Sequence, residues 1–212
     1  MDNNGKRTIL TISPHTDDVE LAAGASVAKW IEEGHDVHWV TLSACHDSIP
    51  HGFDRDTLER EATAASKVME IPADRFRILD FVVREFQDER QRVLQTFYDI
   101  NREIKPDLVV IPALQDLHQD HATVAQEALR AFKLTSVVSY DVVWNNIEFR
   151  SSMFVPVEEH HIQKKIDALK SYESQAHRPY MEEDFLRAQV RFRGTQAGVK
   201  NAEVFEVLRW FL

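Results

Sequence analysis

His118, Asp120 and His121 stand together in Leu117-His118-Gln119-Asp120-His121, and Pro14-His15-Thr16-Asp17-Asp18 lies far upstream. Imidazole nitrogen and carboxylate oxygen form a ligand set suited to zinc, and three such ligands leave a fourth position for water. Side chains of adjacent aspartates diverge in a turn, so one can bind the metal while the other reaches the water. Zinc lowers the pKa of such a water to about 7, and a carboxylate in hydrogen-bond reach takes its proton. His118 and His121 are three residues apart and share a face near a helix start. One of them can bind the metal. The other can hold an oxyanion or protonate a leaving amine. Asp120 can fix the tautomer of a histidine. Either segment alone has an ordinary reading: an Asp-Asp pair at a helix start caps the helix and meets its dipole. Their joint occurrence carries the metal reading.

Both segments follow a run of β-formers, Ile9-Leu10-Thr11-Ile12 and Leu108-Val109-Val110-Ile111, and both precede a helix-periodic stretch. Two strand-to-helix turns can meet at the carboxyl edge of one parallel sheet, where open α/β sheets place their sites. The remaining pattern supplies such a sheet. Strands are predicted over Arg7 to Ser13, Val37 to Leu42, Phe76 to Leu79, Leu108 to Ile111 and Ser136 to Val143. Leu21, Ala25, Ala28 and Ile31 line a first helix ending at Gly34, and Leu58, Ala62, Ala65 and Met69 a second. Glu89 to Ile104 forms a third, stopping before Pro106, and Val124, Ala125, Ala128, Leu129 and Phe132 line a fourth. This alternation argues for an α/β fold, a doubly wound and mostly parallel sheet. The last third departs from it: Phe149 to Pro156 reads as extended, Ile162, Ile166 and Leu169 mark a helix, and Met181 to Phe192 another.

The 212 residues fit a single domain, 1–212, and a hydrophobic fraction of 43% argues against disorder. No apolar run approaches a membrane span, and Met1 to Arg7 holds no apolar signal region. One cysteine, Cys45, fits a reducing cytoplasm and reads as a small buried residue rather than a nucleophile. A formal net charge of −10 disfavours a broad nucleic-acid surface or an anionic membrane patch. A small anionic substrate stays compatible, since a few arginines can hold it.

Pro-His-Thr-Asp-Asp-Val-Glu-Leu-Ala-Ala-Gly together with His-Gln-Asp-His resembles the LmbE-like (PIG-L) family of zinc-dependent N-deacetylases. Ser174-Gln175, Arg193-Gly194 and Ala202-Glu203-Val204-Phe205 resemble further segments of that family, in the same order. The resemblance implies a Rossmann-like three-layer sandwich with the site at the carboxyl edge of the strands. It implies His15, Asp18 and His121 as metal ligands, Asp17 as general base, and His118 as the group that stabilises the tetrahedral intermediate and can serve as acid. Asp120 matches the carboxylate partner of that histidine. The implied cofactor is Zn2+, with Fe2+ as the other candidate. The implied reaction removes an N-acyl group, acetyl above all, from an amino sugar or its conjugate, and a homo-oligomer is compatible. A metal-dependent esterase or phosphoesterase using the same water, and a non-catalytic sugar-binding protein, are the alternatives. The intact Asp17 and the three ligand candidates argue against the last.

The chain departs from the family pattern at several points. Thr16 stands where proline is usual, and Ala22 and Ala25 where glycine is frequent. Leu58 stands three residues before Glu61, where the family often has a substrate-binding arginine, leaving Arg55 or Arg60 as substitutes. For substrate contacts, Asp80 is placed to bond a sugar hydroxyl, Arg84 to meet an anionic group, and Trp144 with Asn145 to form a stacking and amide platform. His46, His51, His160, His161 and His177 read as loop or surface residues.

Overall fold

The computed structural model describes residues 5–211; residues 1–4, part of the polar N-terminal stretch, and residue 212 lie outside the described residues. The chain runs β1 (Thr8–Ser13), α1 (Asp18–Glu32), β2 (Asp36–Thr41), α2 (Thr57–Val68), β3 (Phe76–Ile78), α3 (Arg90–Ile104) and β4 (Leu108–Pro112). It continues through α4 (Gln119–Ala131), β5 (Ser136–Tyr140), β6 (Met153–Pro156), α5 (Glu159–Leu169), α6 (Glu183–Ala197) and β7 (Ala202–Arg209). The seven strands form one sheet in the order β3-β2-β1-β4-β5-β7-β6. The first five are parallel, and β7 runs antiparallel to both β5 and β6.

Successive residues of the central strands enter different cores, as a sheet covered on both faces requires. Ile9, Val110 and Val138 join one cluster with residues of α1, α2, α5 and α6. Leu10, Val109 and Val137 join the other with Val93 and Phe97 of α3 and Val124 and Ala128 of α4. The result is a three-layer α/β sandwich. Helix ends follow local chemistry: Gly34 takes a φ of +80° just past α1, and Lys105, left-handed at +51°, ends α3 ahead of Pro106.

β7 is the element the sequence pattern did not assign. Its alternation is hidden because Glu203 and Glu206 are buried. Glu203 meets the buried Lys165 Nζ at 2.7 Å and accepts from the backbone N–H of Ser26 at 2.6 Å, so β7, α5 and α1 share one ion pair. Gly194 lets α6 close on the start of this strand, since a Cβ there would fall 2.6 Å from the Asn201 Cα. β5 is shorter than expected: it ends at Tyr140, and the chain then turns with Asn145 N–H donating to the Val142 carbonyl.

β1 and β4 are neighbours, yet the chain leaves β1 toward β2 on one side and β4 toward β5 on the other. The strand order therefore reverses between them. Their carboxyl ends carry the two His/Asp segments into the crevice that this reversal opens.

Candidate metal centre and active site

The β1–α1 turn and the β4–α4 turn bring His15, Asp18 and His121 face to face. His121 Nε2 lies 3.1 Å from His15 Nδ1 and 3.3 Å from Asp18 Oδ2, and His15 Nδ1 lies 3.5 Å from Asp18 Oδ2. A tetrahedral zinc with ligands at about 2.0–2.1 Å has ligand–ligand edges of roughly 3.3–3.4 Å. The triangle has that size.

The outer nitrogens show which lone pairs face inward. His121 Nδ1 is 2.9 Å from Asp116 Oδ2, and His15 Nε2 is 2.9 Å from Asp120 Oδ2. A carboxylate can only accept, so each outer nitrogen carries its proton there, and the inner nitrogen is the one that can exchange its proton for a cation. Two imidazole nitrogens and a carboxylate oxygen then converge on a point that favours positive charge. Burial opposes the charged form of His121, yet Asp18 and Asp116 raise it to about 10. Burial likewise opposes charge on His15, and bonds to Asp120 and Asp18 overcome it, leaving its pKa above the ordinary value. Burial disfavours the Asp18 carboxylate, but His121 and His15 hold it well below the usual range. The donor set fits a divalent cation.

Asp116 was absent from the expectations. Its Oδ1 also accepts the His118 backbone N–H at 2.8 Å, so one carboxylate fixes the turn and the ring of His121. Asp120 is a correction of partner: its carboxylate binds His15, while its backbone N–H donates to His118 Nδ1 at 3.2 Å. The family resemblance implied His118; the sheet delivers His15. The same Asp120 oxygen accepts the Arg84 backbone N–H at 2.6 Å, from a residue with a φ of +73°. The contribution of Arg84 here is its main chain, because its guanidinium bonds the Asp47 carbonyl and Ser48 Oγ.

Asp17 stands at the N-cap of α1 but makes no capping hydrogen bond. Its carboxylate is left to line the cavity beside the triangle. Burial, with the Asp18 charge beside it, pushes it up to about 6. His118 does cap its helix: Nδ1 accepts from Asp120, so Nε2 carries the proton. Burial and the neighbouring His15 and His121 push its pKa down to about 4, which keeps the ring neutral. His118 thus offers a donor rather than a ligand lone pair.

A cavity of about 190 Å³ opens on this cluster, walled by Leu58, Val83, Gln175 and Arg178 and by Trp144, Asn145 and Tyr180. Trp144 and Tyr180 stack with ring centroids 3.8 Å apart. Trp144 and Asn145 therefore reach the cavity; Asp80 does not, since it faces a neighbouring cavity and pairs with Arg92. Arg178 and Tyr180 come from aperiodic turns after α5, where no sequence signal marked them. Cys45 also lines the cavity, and burial pushes its thiol up to about 12, so it is no nucleophile. Behind the first turn, Tyr172 Oη touches the Thr16 carbonyl and lies 2.6 Å from Glu20 Oε1. One hydroxyl proton cannot serve both, and the carbonyl can only accept. Glu20 supplies the second proton as a neutral acid, in keeping with the burial that raises its pKa well above the ordinary value.

A second His/Glu group, Glu32 with His160 and His161, lies at the end of α1 and the start of α5. His161 is buried there, not a surface residue, and its Nε2 is 2.5 Å from Glu32 Oε2. Its Nδ1 accepts the Glu158 backbone N–H at 3.0 Å.

Comparison with known proteins places these features. Uncharacterized deacetylase YaiS of Escherichia coli (strain K12) is 25% identical over 177 residues, 81% of this chain and 93% of that protein. The 4-oxalmesaconate hydratase of Pseudomonas putida is 26% identical over 140 residues, 59% of this chain and 53% of that protein. The crystal structure of N,N'-diacetylchitobiose deacetylase from Pyrococcus horikoshii shares the fold with a TM-score of 0.80 at 17% identity, over 96% of this chain and 84% of that one. The family model described as PIG-L: GlcNAc-PI de-N-acetylase matches residues 10–132, a span that holds both strand-end turns, and the chain belongs to this family.

Proposed function

We propose that this protein is a metal-dependent deacetylase that removes an N-acyl group, acetyl above all, from an amino sugar or amino-sugar conjugate. The observation that carries the reading is the inward-facing triangle of His15 Nδ1, Asp18 Oδ2 and His121 Nε2 with the uncapped Asp17 beside it. Family membership and the deacetylase names among its relatives support the amide chemistry. His15, Asp18 and His121 would hold the metal, Zn2+ in our reading and Fe2+ as the other candidate. When bound, the cation supplies Lewis acidity toward the amide carbonyl and the attacking water.

The residues of the chain divide the remaining work. Asp17 takes the proton from water as its oxygen bonds to the carbonyl carbon. His118, protonated on Nε2, donates to the oxyanion that develops. As the C–N bond breaks, the amine nitrogen takes up the proton that Asp17 holds. Asp120 and Asp116 keep the rings of His15 and His121 in the tautomers that present inner lone pairs. No helix among the described residues is long and apolar enough to cross a membrane. A lone free cysteine suits the cytoplasm.

The hydratase relative motivates a second reading, since a base beside a bound cation can also add water to a carbon–carbon double bond. Amine release separates the two. Metal-loaded protein should liberate free amine from N-acetylglucosamine derivatives and stop when a chelator is added. Retention of full amine release in the chelated, metal-free protein would refute the mechanism.

A further inference from the structure

We propose that Arg178 determines specificity, selecting N-acyl substrates that carry a phosphate or carboxylate group. The inference rests on the deacylation reading and adds the charge of the substrate to it. Arg178 is the one Arg or Lys side chain among the residues lining the cavity at the metal triangle. The arginines that the sequence suggested are engaged elsewhere: Arg55 with Asp47, Arg60 with Asp56, and Arg84 with the Asp47 carbonyl and Ser48. Leu58 occupies the cavity wall as an apolar surface. Arg178, from the turn after α5, is the cation that reaches this cavity.

A built relay holds it there. Arg178 Nε donates to Gln175 Oε1 at 2.6 Å, Gln175 Nε2 donates to Ser174 Oγ at 3.0 Å, and Ser174 Oγ donates to Glu61 Oε2 at 2.6 Å. Glu61 is buried in α2 and also accepts the Ser174 backbone N–H at 2.9 Å. The relay fixes the Nε edge of the guanidinium. Among the described residues no carboxylate forms a direct ion pair with the outer fork, and Asp17 lies within its electrostatic reach. Tyr180 stands beside it, with the guanidinium carbon 5.7 Å from the ring centre and the Tyr180 hydroxyl as a hydrogen-bond partner. A planar fork with one anchored edge, half-buried at the cavity and without a direct ion-pair partner among the described residues, matches the bidentate geometry of phosphate and carboxylate oxygens.

The test compares kcat/KM for amine release from N-acetylglucosamine, its 1- and 6-phosphates, and N-acetylmuramic acid, in the parent protein and in Arg178→Gln and Arg178→Lys. The parent should favour at least one anionic compound over the neutral sugar by about 10-fold or more, the scale of one charge-assisted hydrogen-bond pair. That ratio should fall toward unity in Arg178→Gln and be partly kept in Arg178→Lys. Preference for the phosphates or for the carboxylate identifies the source of the charge. A ratio near unity in the parent, or one unchanged in Arg178→Gln, overturns the inference. Calorimetric binding of glucosamine and glucosamine 6-phosphate separates the two readings. Charge-dependent binding lost in Arg178→Gln, without amine release from any compound, keeps the inference and discards deacylation. Amine release without charge preference does the reverse. If Arg178→Gln fails to fold, Arg178→Lys carries the comparison, and loss of the bidentate fork must still lower the ratio.

Discussion

Two groups of histidine and carboxylate sit at opposite ends of α1, and only one is built for a metal. At its start, His15 and His121 give their outer N–H groups to Asp120 and Asp116, so the inner nitrogens are the ones that can exchange a proton for a cation. At its end, His161 spends Nδ1 on accepting the Glu158 N–H, which leaves the proton on Nε2, donated to Glu32. In the first group Asp18 and His121 are buried and His15 is 12% exposed, while Glu32 is 58% exposed and His160 61% exposed. Residue types and proximity are alike in both groups. The partner of the second ring nitrogen decides between a metal site and a helix–helix clasp.

The strongest attack on this contrast is His121→Ala. It should abolish metal binding, with stoichiometric metal in the variant ruling out the triangle. Asp17→Asn comes next: metal content should stay normal while kcat falls by roughly 10²–10⁴-fold, the range for loss of a general base. Metal loss in that variant would move Asp17 into the ligand set. Asp116→Asn tests the outer partner directly. Metal affinity should weaken by about 10–100-fold, measured by competition with a chromophoric chelator. Unchanged affinity would mean that the outer nitrogen does not matter. His161→Ala should leave metal content and affinity untouched and lower stability by about 1–3 kcal/mol in denaturant melts, since it leaves the Glu158 N–H unpaired. A drop in bound metal per chain would make the second group a site after all. The smallest effect belongs to Glu20→Gln. A neutral acid replaced by a neutral amide keeps a donor to Tyr172, so stability should change by less than about 1 kcal/mol. A large loss would show that Glu20 is ionised.

The order of strands and helices through β5 was legible because apolar period and turn residues agreed there. β7 was not, because the buried Glu203 breaks the alternation and is tolerated only through Lys165, distant in sequence. The same limit governs the site. His15, Asp17, Asp18 and His121 announce themselves by type and spacing after strands. Asp116 carries no mark beyond lying before a histidine. The partner of Asp120 could be assigned only once β1 and β4 were side by side. Arg84 was noticed for its side chain, while the contact that matters uses its backbone. Arg178 lies in a turn without period, and its relay joins that turn to Glu61 of α2.

The pairing of β1 with β4 has a thermodynamic consequence. Leu10 pairs with Val109 in that ladder, and the bond from His15 to Asp120 closes a separation of 105 residues. An unfolded chain can offer the two halves of the triangle only separately, so tight metal binding and completion of the central sheet are one equilibrium. Free metal then acts as a ligand of the native state alone. Each tenfold rise above its dissociation constant should add about 1.4 kcal/mol to global stability.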